Sequence, residues 1–297
     1  MAALDWLSDW DDLVHGTVVF SAAIPFAIGL LIAWKLPPNV WWLGVLVAVI
    51  GPFLWLFGLP AIIPGSSEDV ALLSVVIAAI VFALSPKLKW PITIVVGVFL
   101  FGWMQWCVYP AWLAENGGLA KKLLVCGSVV GSMVVLGMCA EVAVASGASG
   151  RTTEKCRCSR SALIAPTIGL AILLQLGGAA RFGQATGAIA TVLGTLCLYD
   201  FVKNREVVAA MVPALWGLFF ALLAWSGWLF ADVRYGLAAA LCFAPIAGLV
   251  THFLPLPRKS ERQNQLWDGL ASAVVASAIV GIAVSDYLAD ASEFEGY

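Results

Sequence analysis

ASGRTTEKCRCSR, residues 148–160, is the longest polar and basic break in a chain of 297 residues that is otherwise almost continuously apolar. The break lies near the middle of the sequence, and five apolar segments flank it on each side. The sequence therefore predicts an N-terminal unit over 1–147, a hinge loop over 148–160 and a C-terminal unit over 161–297. We interpret the two units as versions of one five-helix repeat.

The composition is typical of a membrane protein. Hydrophobic residues make up 62% of the chain and charged residues 11%, whereas soluble proteins contain about 25% charged residues. A membrane helix needs about 20 apolar residues, while the strands of a membrane barrel alternate polar and apolar positions. The long unbroken apolar runs thus predict an all-α, polytopic integral membrane protein.

Ten transmembrane helices are predicted from these runs. Tryptophans such as Trp34 and Trp267 stand near the ends of the runs, as in the aromatic belts of membrane proteins. A short amphipathic helix within residues 1–14 is expected to lie in the membrane interface. The predicted spans are 15–35, 40–58, 69–85, 91–110, 121–146, 161–180, 185–202, 206–230, 234–255 and 267–289.

Lysine and arginine are distributed unequally between alternate loops. The chain has 16 lysines and arginines, and the loops on the same side of the membrane as the hinge carry all but four of them. The four on the other side are Lys121, Lys122, Arg181 and Arg234. The positive-inside rule then predicts a cytoplasmic hinge and outward termini, in a membrane that we expect to be the bacterial inner membrane. The first residues lack the basic segment and cleavage pattern of a signal peptide, so the first span is expected to direct insertion.

Two pairs of segments indicate an internal repeat. Residues 21–36 match residues 161–176 at eight of sixteen positions, and 128–141 match 273–286 at four of fourteen, ending acid over acid. Because five spans per unit is an odd number, the second unit enters from the opposite face, which predicts an inverted repeat. Chance similarity among membrane helices, which use few residue types, is the alternative.

Helix 1 of the first unit corresponds to helix 6 of the second, and each has a proline near its start, Pro25 and Pro166. We predict a substrate site at these two helices. A proline removes one backbone hydrogen bond, so both helices are predicted to kink or unwind and to offer backbone groups to a ligand. Simple bending of the helices is the alternative. The predicted substrate-binding residues are Ser21, Pro25, Gly29, Ser161, Pro166, Thr167, Gly169 and Gln175.

Glu141 and Asp286 are paired acids near the ends of helices 5 and 10. An acid at the membrane centre costs about 3 kcal/mol and usually has a function, so both are candidates for coupling to an ion. Contact with interfacial water is the other interpretation. No charge is predicted at the middle of the membrane, which favours a neutral or amphipathic substrate.

No cofactor, metal or nucleic acid is expected. Cys156 and Cys158 offer two of the four ligands of a structural zinc site, and no histidine stands beside them. The basic residues lie in short loops instead of a tract that could follow phosphates. We find no catalytic sequence motif, so the chain is not expected to be an enzyme.

Helices 5 and 10 carry small residues four apart, a spacing that lets helices approach closely. They predict packing between the two units, in a homodimer, or against another membrane protein. The residues are Gly127, Ser128, Gly131 and Ser132 in helix 5, and Ser272, Ala276, Ser277 and Gly281 in helix 10.

The predicted ten-helix outline, with a 5+5 inverted repeat and about 300 residues, resembles carriers of the drug/metabolite (EamA-like) type. The resemblance covers the span count, carries no motif to individual residues, and the outward termini differ from the inward ones usual in that family. It implies transport of a small molecule by alternating access, which is the predicted function. A non-transporting subunit or assembly factor of a membrane complex is the alternative.

Overall fold

The computed structural model describes residues 22–35, 160–203, 233–251, 254–256 and 261–294, with isolated positions at 51, 54, 58, 69, 73, 220, 223, 224, 227 and 228. Within these residues there is no strand, which confirms the all-helical class for this part of the chain. The helices are α1 (Ile24–Lys35), α2 (Ile164–Leu176), α3 (Ala180–Lys203), α4 (Tyr235–Val250) and α5 (Glu261–Phe294). A 3₁₀ turn, Arg160–Leu163, leads into α2.

Each of these helices overlaps a predicted span, and several helix ends differ from the predicted span ends by about five residues. The predicted loop at 181–185 lies inside α3, because the chain turns earlier, at Gly177 and Gly178. Gly178 has a φ of +83°, a conformation that favours glycine, and the amide of Gly177 donates to the carbonyl of Leu173. The charge of Arg181 had indicated a loop, but Arg181 lies in the first turn of α3.

The second boundary concerns α5, which begins at Glu261, six residues before the predicted start of the last span at 267. The segment from 261 to 266 is polar, and hydropathy therefore excluded it from the span. Arg262 holds this first turn in place by donating from Nε to the carbonyl of Phe201 and from Nη2 to that of Val202, at 2.8 and 2.9 Å. α5 is therefore longer than its apolar section, since its first turn is polar.

α2 is the central helix of the described bundle and packs against α3, α4 and α5. α1 packs against α3, and α4 packs against α5. Leu170 and Leu174 of α2, Leu196 of α3 and Leu241 of α4 are completely or almost completely buried between these helices. Leucine and alanine are the most frequent residue types in the described core.

Within the described ranges, α3 and the section Arg262–Ala289 of α5 are long and apolar enough to cross a membrane, by length and composition. The two helices differ in burial. Most of the apolar section of α3 is buried inside the protein, whereas only a minority of that of α5 is buried, with Val274 70% and Leu288 61% accessible. Exposed apolar side chains of this kind are typical of a helix that contacts lipid or another protein.

Candidate functional site

The two ends of the described bundle can be distinguished by contacts between distant segments. Ser161 in the 3₁₀ turn donates from Oγ to the carbonyl oxygen of Gln265 near the start of α5, at 2.6 Å. Arg262 joins the start of α5 to the end of α3. The start of α2, the end of α3 and the start of α5 therefore lie at one end, which we call the turn end.

The turn end contains a cluster of buried polar side chains. Five residues, which we call the polar cluster, come from the turn, the end of α4 and the first turns of α5. Gln265, Asp268 and Ser272 lie three and four residues apart on α5 and so share one face of that helix. The polar cluster consists of Ser161, Thr251, Gln265, Asp268 and Ser272, and all of these side chains except the half-buried Ser161 are buried.

Two serines of the polar cluster fix the turn on α5. Ser272 donates from Oγ to the carbonyl of Ala162, at 2.6 Å, and Ser161 donates to Gln265 in the opposite direction. A Cβ placed at Gly269 would lie 3.3 Å from the side chain of Ser161, so the two segments approach closely. These bonds satisfy polar groups that would cost about 1–3 kcal/mol if buried without a partner.

Asp268 is the one acid of the polar cluster, with 0% of its surface exposed. Its Oδ1 lies 2.7 Å from Oγ1 of Thr251, which itself is 2.6 Å from the carbonyl oxygen of Gly248. This contact joins the end of α4 to α5. Asp200 on α3 is also buried, at 1% exposure, one residue before the carbonyl of Phe201 that Arg262 binds.

The opposite end of the bundle carries an exposed ion pair. Arg234, just before α4, donates from Nη1 to Oδ2 of Asp286 on α5 at 2.6 Å, and the two side chains are 59% and 36% exposed. Asp286 had been predicted as a candidate for ion coupling, and the structure gives it a solvent-accessible partner. That role for Asp286 stays a prediction.

The predicted substrate residues fall into two groups. Ser161 lies in the turn, and Pro166, Thr167 and Gly169 lie in the first half of α2. A Cβ at Gly169 would be 3.1 Å from Leu241 and 3.2 Å from Val280. Thr167 is buried and donates to the carbonyl of Leu163 in the preceding turn, at 2.6 Å.

The remaining predicted residues are separate from that group. Pro25 and Gly29 are buried on α1, where a Cβ at Gly29 would lie 3.1 Å from Cβ of Thr195 on α3. Gln175 is exposed at the end of α2, which is the end away from the 3₁₀ turn. Ser21 and Glu141 lie outside the described residues.

The structure corrects the expected effect of Pro166. α2 runs without a break from Ile164 to Leu176, so Pro166 is its third residue. A proline in the first turn of a helix removes no internal hydrogen bond, because amides there have no partner within the helix. The irregular backbone is instead the 3₁₀ turn before it. Pro25 is likewise the second residue of α1, after two π-helical residues at 22 and 23.

Sequence reasoning missed Asp268, Thr251 and Asp200. Asp268 is the second residue of the predicted last span, 267–289, and the sequence analysis gave it no role. The spacing of Gln265, Asp268, Ser272 and Ala276 was an available signal, since these positions form one helical stripe that faces inward.

Metal ligation and similarity to other proteins add no further assignment. Among the residues that the structure describes, no three His, Cys, Asp or Glu side chains come together as metal ligands. Comparison with known protein families, with curated proteins and with solved structures finds no match to this chain.

Proposed function

We propose that the protein is a ten-span carrier of the bacterial inner membrane that moves a neutral or amphipathic small molecule by alternating access between two inverted five-helix units. The hinge loop lies in the cytoplasm and both termini lie outside. The substrate site lies between the units, close to α1 and α2, which are helices 1 and 6 of the ten.

The spacing of charges along α3 and α5 supports the membrane assignment. Residues 269–285 of α5 contain no charged side chain, and Asp268 and Asp286 bound that section. The helix rises about 27 Å between Asp268 and Asp286, which is close to the hydrocarbon thickness of about 30 Å. In α3 the uncharged section between Arg181 and Asp200 has nearly the same length, about 28 Å.

The observation that carries the carrier hypothesis is the contact of Gly29 with Thr195. It brings α1, from the first unit, against α3, from the second, at a distance that only glycine permits without a shift of the neighbour. Gly169, the residue that corresponds to Gly29 in the repeat, is also at a close helix contact. Corresponding glycines at helix contacts are suited to surfaces that slide or rock against each other.

A neutral substrate follows from the residues available along these contacts. α2, the stretch of α3 from 182 to 199 and α4 contain no Asp, Glu, Lys or Arg. A strongly charged substrate would leave its charge without an opposite charge in a medium of low dielectric, which costs several kcal/mol. Hydroxyl groups such as that of Thr195 and backbone carbonyls are suited to neutral polar groups.

A thermal unfolding screen of the detergent-purified protein against neutral and amphipathic metabolites tests the proposal. A compound present at a hundred times its Kd adds about 2.7 kcal/mol to native stability, so it raises Tm visibly. Gly29→Ala should reduce the shift. Gly194→Ala, on α3 with no atom within 4 Å of the new Cβ, should leave it unchanged. As a control, a cooperative unfolding transition of each variant in the absence of compound is required to show that both variants are folded.

A specific surface of α5 favours the second candidate, a non-transporting subunit. Ser277, Gly281 and Ser285 repeat at intervals of four and are exposed, whereas Ser272 and Ala276 are buried within the chain. An exposed stripe of this kind lets another helix approach closely, in a homodimer or a complex. Absence of any stabilising compound, together with a stoichiometric partner in the purified sample, would support this candidate over the carrier.

A further inference from the structure

α3 reaches the protein surface with apolar residues only in its last turns. No residue of α3 from Phe182 to Cys197 is exposed, whereas Leu198 is 52%, Phe201 38% and Val202 60% exposed. Intervals of three and four residues place these last three on one side of the helix. The end of α3 therefore presents an apolar side to the surroundings of the protein.

The first turns of α5 carry apolar residues of the same kind. Leu266 and Leu270 are each 49% exposed. They follow Arg262 at intervals of four residues, so all three lie on one face of α5. α3 ends at the turn end and α5 begins there, so the exposed residues of both helices lie at the same end of the bundle. We call Leu198, Phe201, Val202, Leu266 and Leu270 the apolar surface.

Arg262 joins the two helices at the outer edge of the apolar surface. Its Nε and Nη2 donate to the carbonyls of Phe201 and Val202, and its guanidinium carbon lies 5.6 Å from the centroid of the Phe201 ring. The last carbonyls of a helix carry partial negative charge, which this cation offsets. A guanidinium has more N–H groups than these two bonds use, so Arg262 is fixed in place and has donors left for an anion.

Lys203, the last residue of α3, is a second exposed cation at this edge. Its Nζ lies 5.6 Å from the centroid of the Tyr199 ring. Among the residues that the structure describes, no carboxylate forms an ion pair with Lys203 or Arg262. Cations next to aromatic rings at helix ends are typical of the level of lipid headgroups.

The acids at the turn end do not cancel this charge. Asp200 and Asp268 are 1% and 0% exposed, so they lie inside the bundle while both cations lie outside. Glu261 contributes one negative charge at the first residue of α5, and the sequence just before it adds Arg258 and Lys259. Basic residues are therefore in excess at this edge, which favours an anionic ligand.

We propose that the turn end binds an anionic phospholipid, with its phosphate at Lys203 and Arg262 and its acyl chains along the apolar surface. Leu266 and Leu270 lie about 6 and 12 Å below Arg262 along α5, and Leu198 lies about 8 Å below Lys203 along α3. This order, cations at the edge and apolar side chains further in, matches a phosphate above acyl chains. A soluble phosphate compound would leave the apolar surface uncovered.

The leaflet in which this lipid lies follows from the proposed function, on which this inference rests for the membrane and its orientation. The turn end adjoins the hinge loop, so the lipid belongs to the cytoplasmic leaflet. Basic pockets between membrane helices on that side bind acidic headgroups. Each lysine or arginine near an anionic membrane surface contributes about 1 kcal/mol, which corresponds to about fivefold in affinity.

Native mass spectrometry of the detergent-purified full chain, titrated with lipid, tests this site. We expect phosphatidylglycerol to bind more tightly than phosphatidylcholine with the same acyl chains. Lys203→Gln should weaken phosphatidylglycerol binding about fivefold, whereas Lys203→Arg, which retains the charge, should not weaken it. Lys203 is the suitable position because Arg262 keeps its bonds to α3 in both variants. Arg181→Gln, in the first turn of the same helix, is the matched control and should bind as the native protein does.

The apolar surface is tested by a second pair of variants. Leu266→Ser should weaken the binding of phosphatidylglycerol, because the acyl chains lose an apolar contact. Leu288→Ser, near the far end of α5 and 61% exposed, should leave this binding unchanged. A cooperative unfolding transition is required of every variant before its lipid affinity is compared with the native value.

Three results would overturn the lipid site. The first is equal affinity of the native protein for the two lipids, and the second is native affinity in Lys203→Gln. The third is binding of glycerol phosphate as tight as that of phosphatidylglycerol, since the acyl chains would then contribute nothing. If the lipid binds as expected and no transported compound raises Tm, the lipid site stands and the carrier is rejected. If a compound raises Tm and the two lipids bind equally, the carrier stands and the lipid site is rejected.

Discussion

The hydroxyl of Ser272 on α5 donates to the carbonyl oxygen of Ala162, 2.6 Å away and 110 residues earlier in the chain. Both residues are completely buried. The bond joins the 3₁₀ turn that opens the C-terminal unit to the last helix of that unit. It therefore closes the described bundle at the turn end, and Ser161 and Gln265 make a second bond beside it.

Replacement of Ser272 by alanine should destabilise the protein by about 1–3 kcal/mol, because the carbonyl of Ala162 would be buried without its donor. Ser277→Ala is the matched control, since Ser277 lies on the same helix but is exposed. Chemical unfolding in detergent, with the same denaturant for both, measures the difference. Equal stability of the two variants would contradict the role of this bond.

Replacement of Gly183 by alanine should separate α2 from α3. The new Cβ would lie 2.6 Å from Cγ of Gln175 and 2.9 Å from the carbonyl oxygen of Ala171, and the second of these is backbone that cannot rotate away. Overpacking of this kind costs about 1–3 kcal/mol. Gly194→Ala on the same helix meets no atom within 4 Å and should be neutral or gain about 1 kcal/mol of helix propensity. A fall in Tm for both variants alike would count against the described α2–α3 contact.

The turn between α2 and α3 depends on Gly178, whose φ is +83°. An L-residue with a Cβ in this conformation costs about 1–2 kcal/mol, and asparagine tolerates it better than alanine does. We expect Tm to fall in the order native, Gly178→Asn, Gly178→Ala. No other atom lies within 4 Å of the new Cβ, so packing does not contribute. A Tm for the alanine variant equal to the native value would show a different backbone at this turn.

The ion pair between Arg234 and Asp286 should contribute little to stability, because both side chains are substantially exposed and surface pairs contribute about 0–1 kcal/mol. Asp286→Asn is therefore expected to leave Tm nearly unchanged. The same variant tests the predicted ion-coupling role, since a coupling residue would alter the pH dependence of compound binding. An unchanged pH dependence would assign Asp286 to the surface pair only.

The sequence predicts the described helices well and the side chains between them less well. Long apolar runs locate α2 to α5, because hydropathy shows how many consecutive residues must be buried in lipid or in protein. The turn at Gly177 and Gly178 was missed because the charge of Arg181 is a stronger local signal than two glycines in an apolar run. Asp268 was missed because hydropathy does not indicate which face of a helix points inward, and only the packing of α4 and α5 shows that this acid is buried.

The contact of Gly29 with Thr195 shows a similar limit. The internal repeat singled out Gly29, but nothing in the sequence indicates that α1 lies against α3 instead of another helix of its own unit. Contacts between units depend on the full set of helix packings, which local periodicity does not encode. The sequence identifies the residues that correspond in the repeat, but it does not identify the residues of other helices that they contact.

Cysteine accessibility from the two sides of sealed vesicles tests alternating access most directly. Single cysteines at Ile28 and Ile168, which precede Gly29 and Gly169 and are not buried, in a protein without its seven native cysteines, are labelled with a membrane-impermeant reagent, with and without a compound that raises Tm. We expect labelling of both positions from one side to fall, and labelling from the other side to rise, when the compound binds. Identical labelling from each side in both conditions would contradict the proposal that this protein is a carrier.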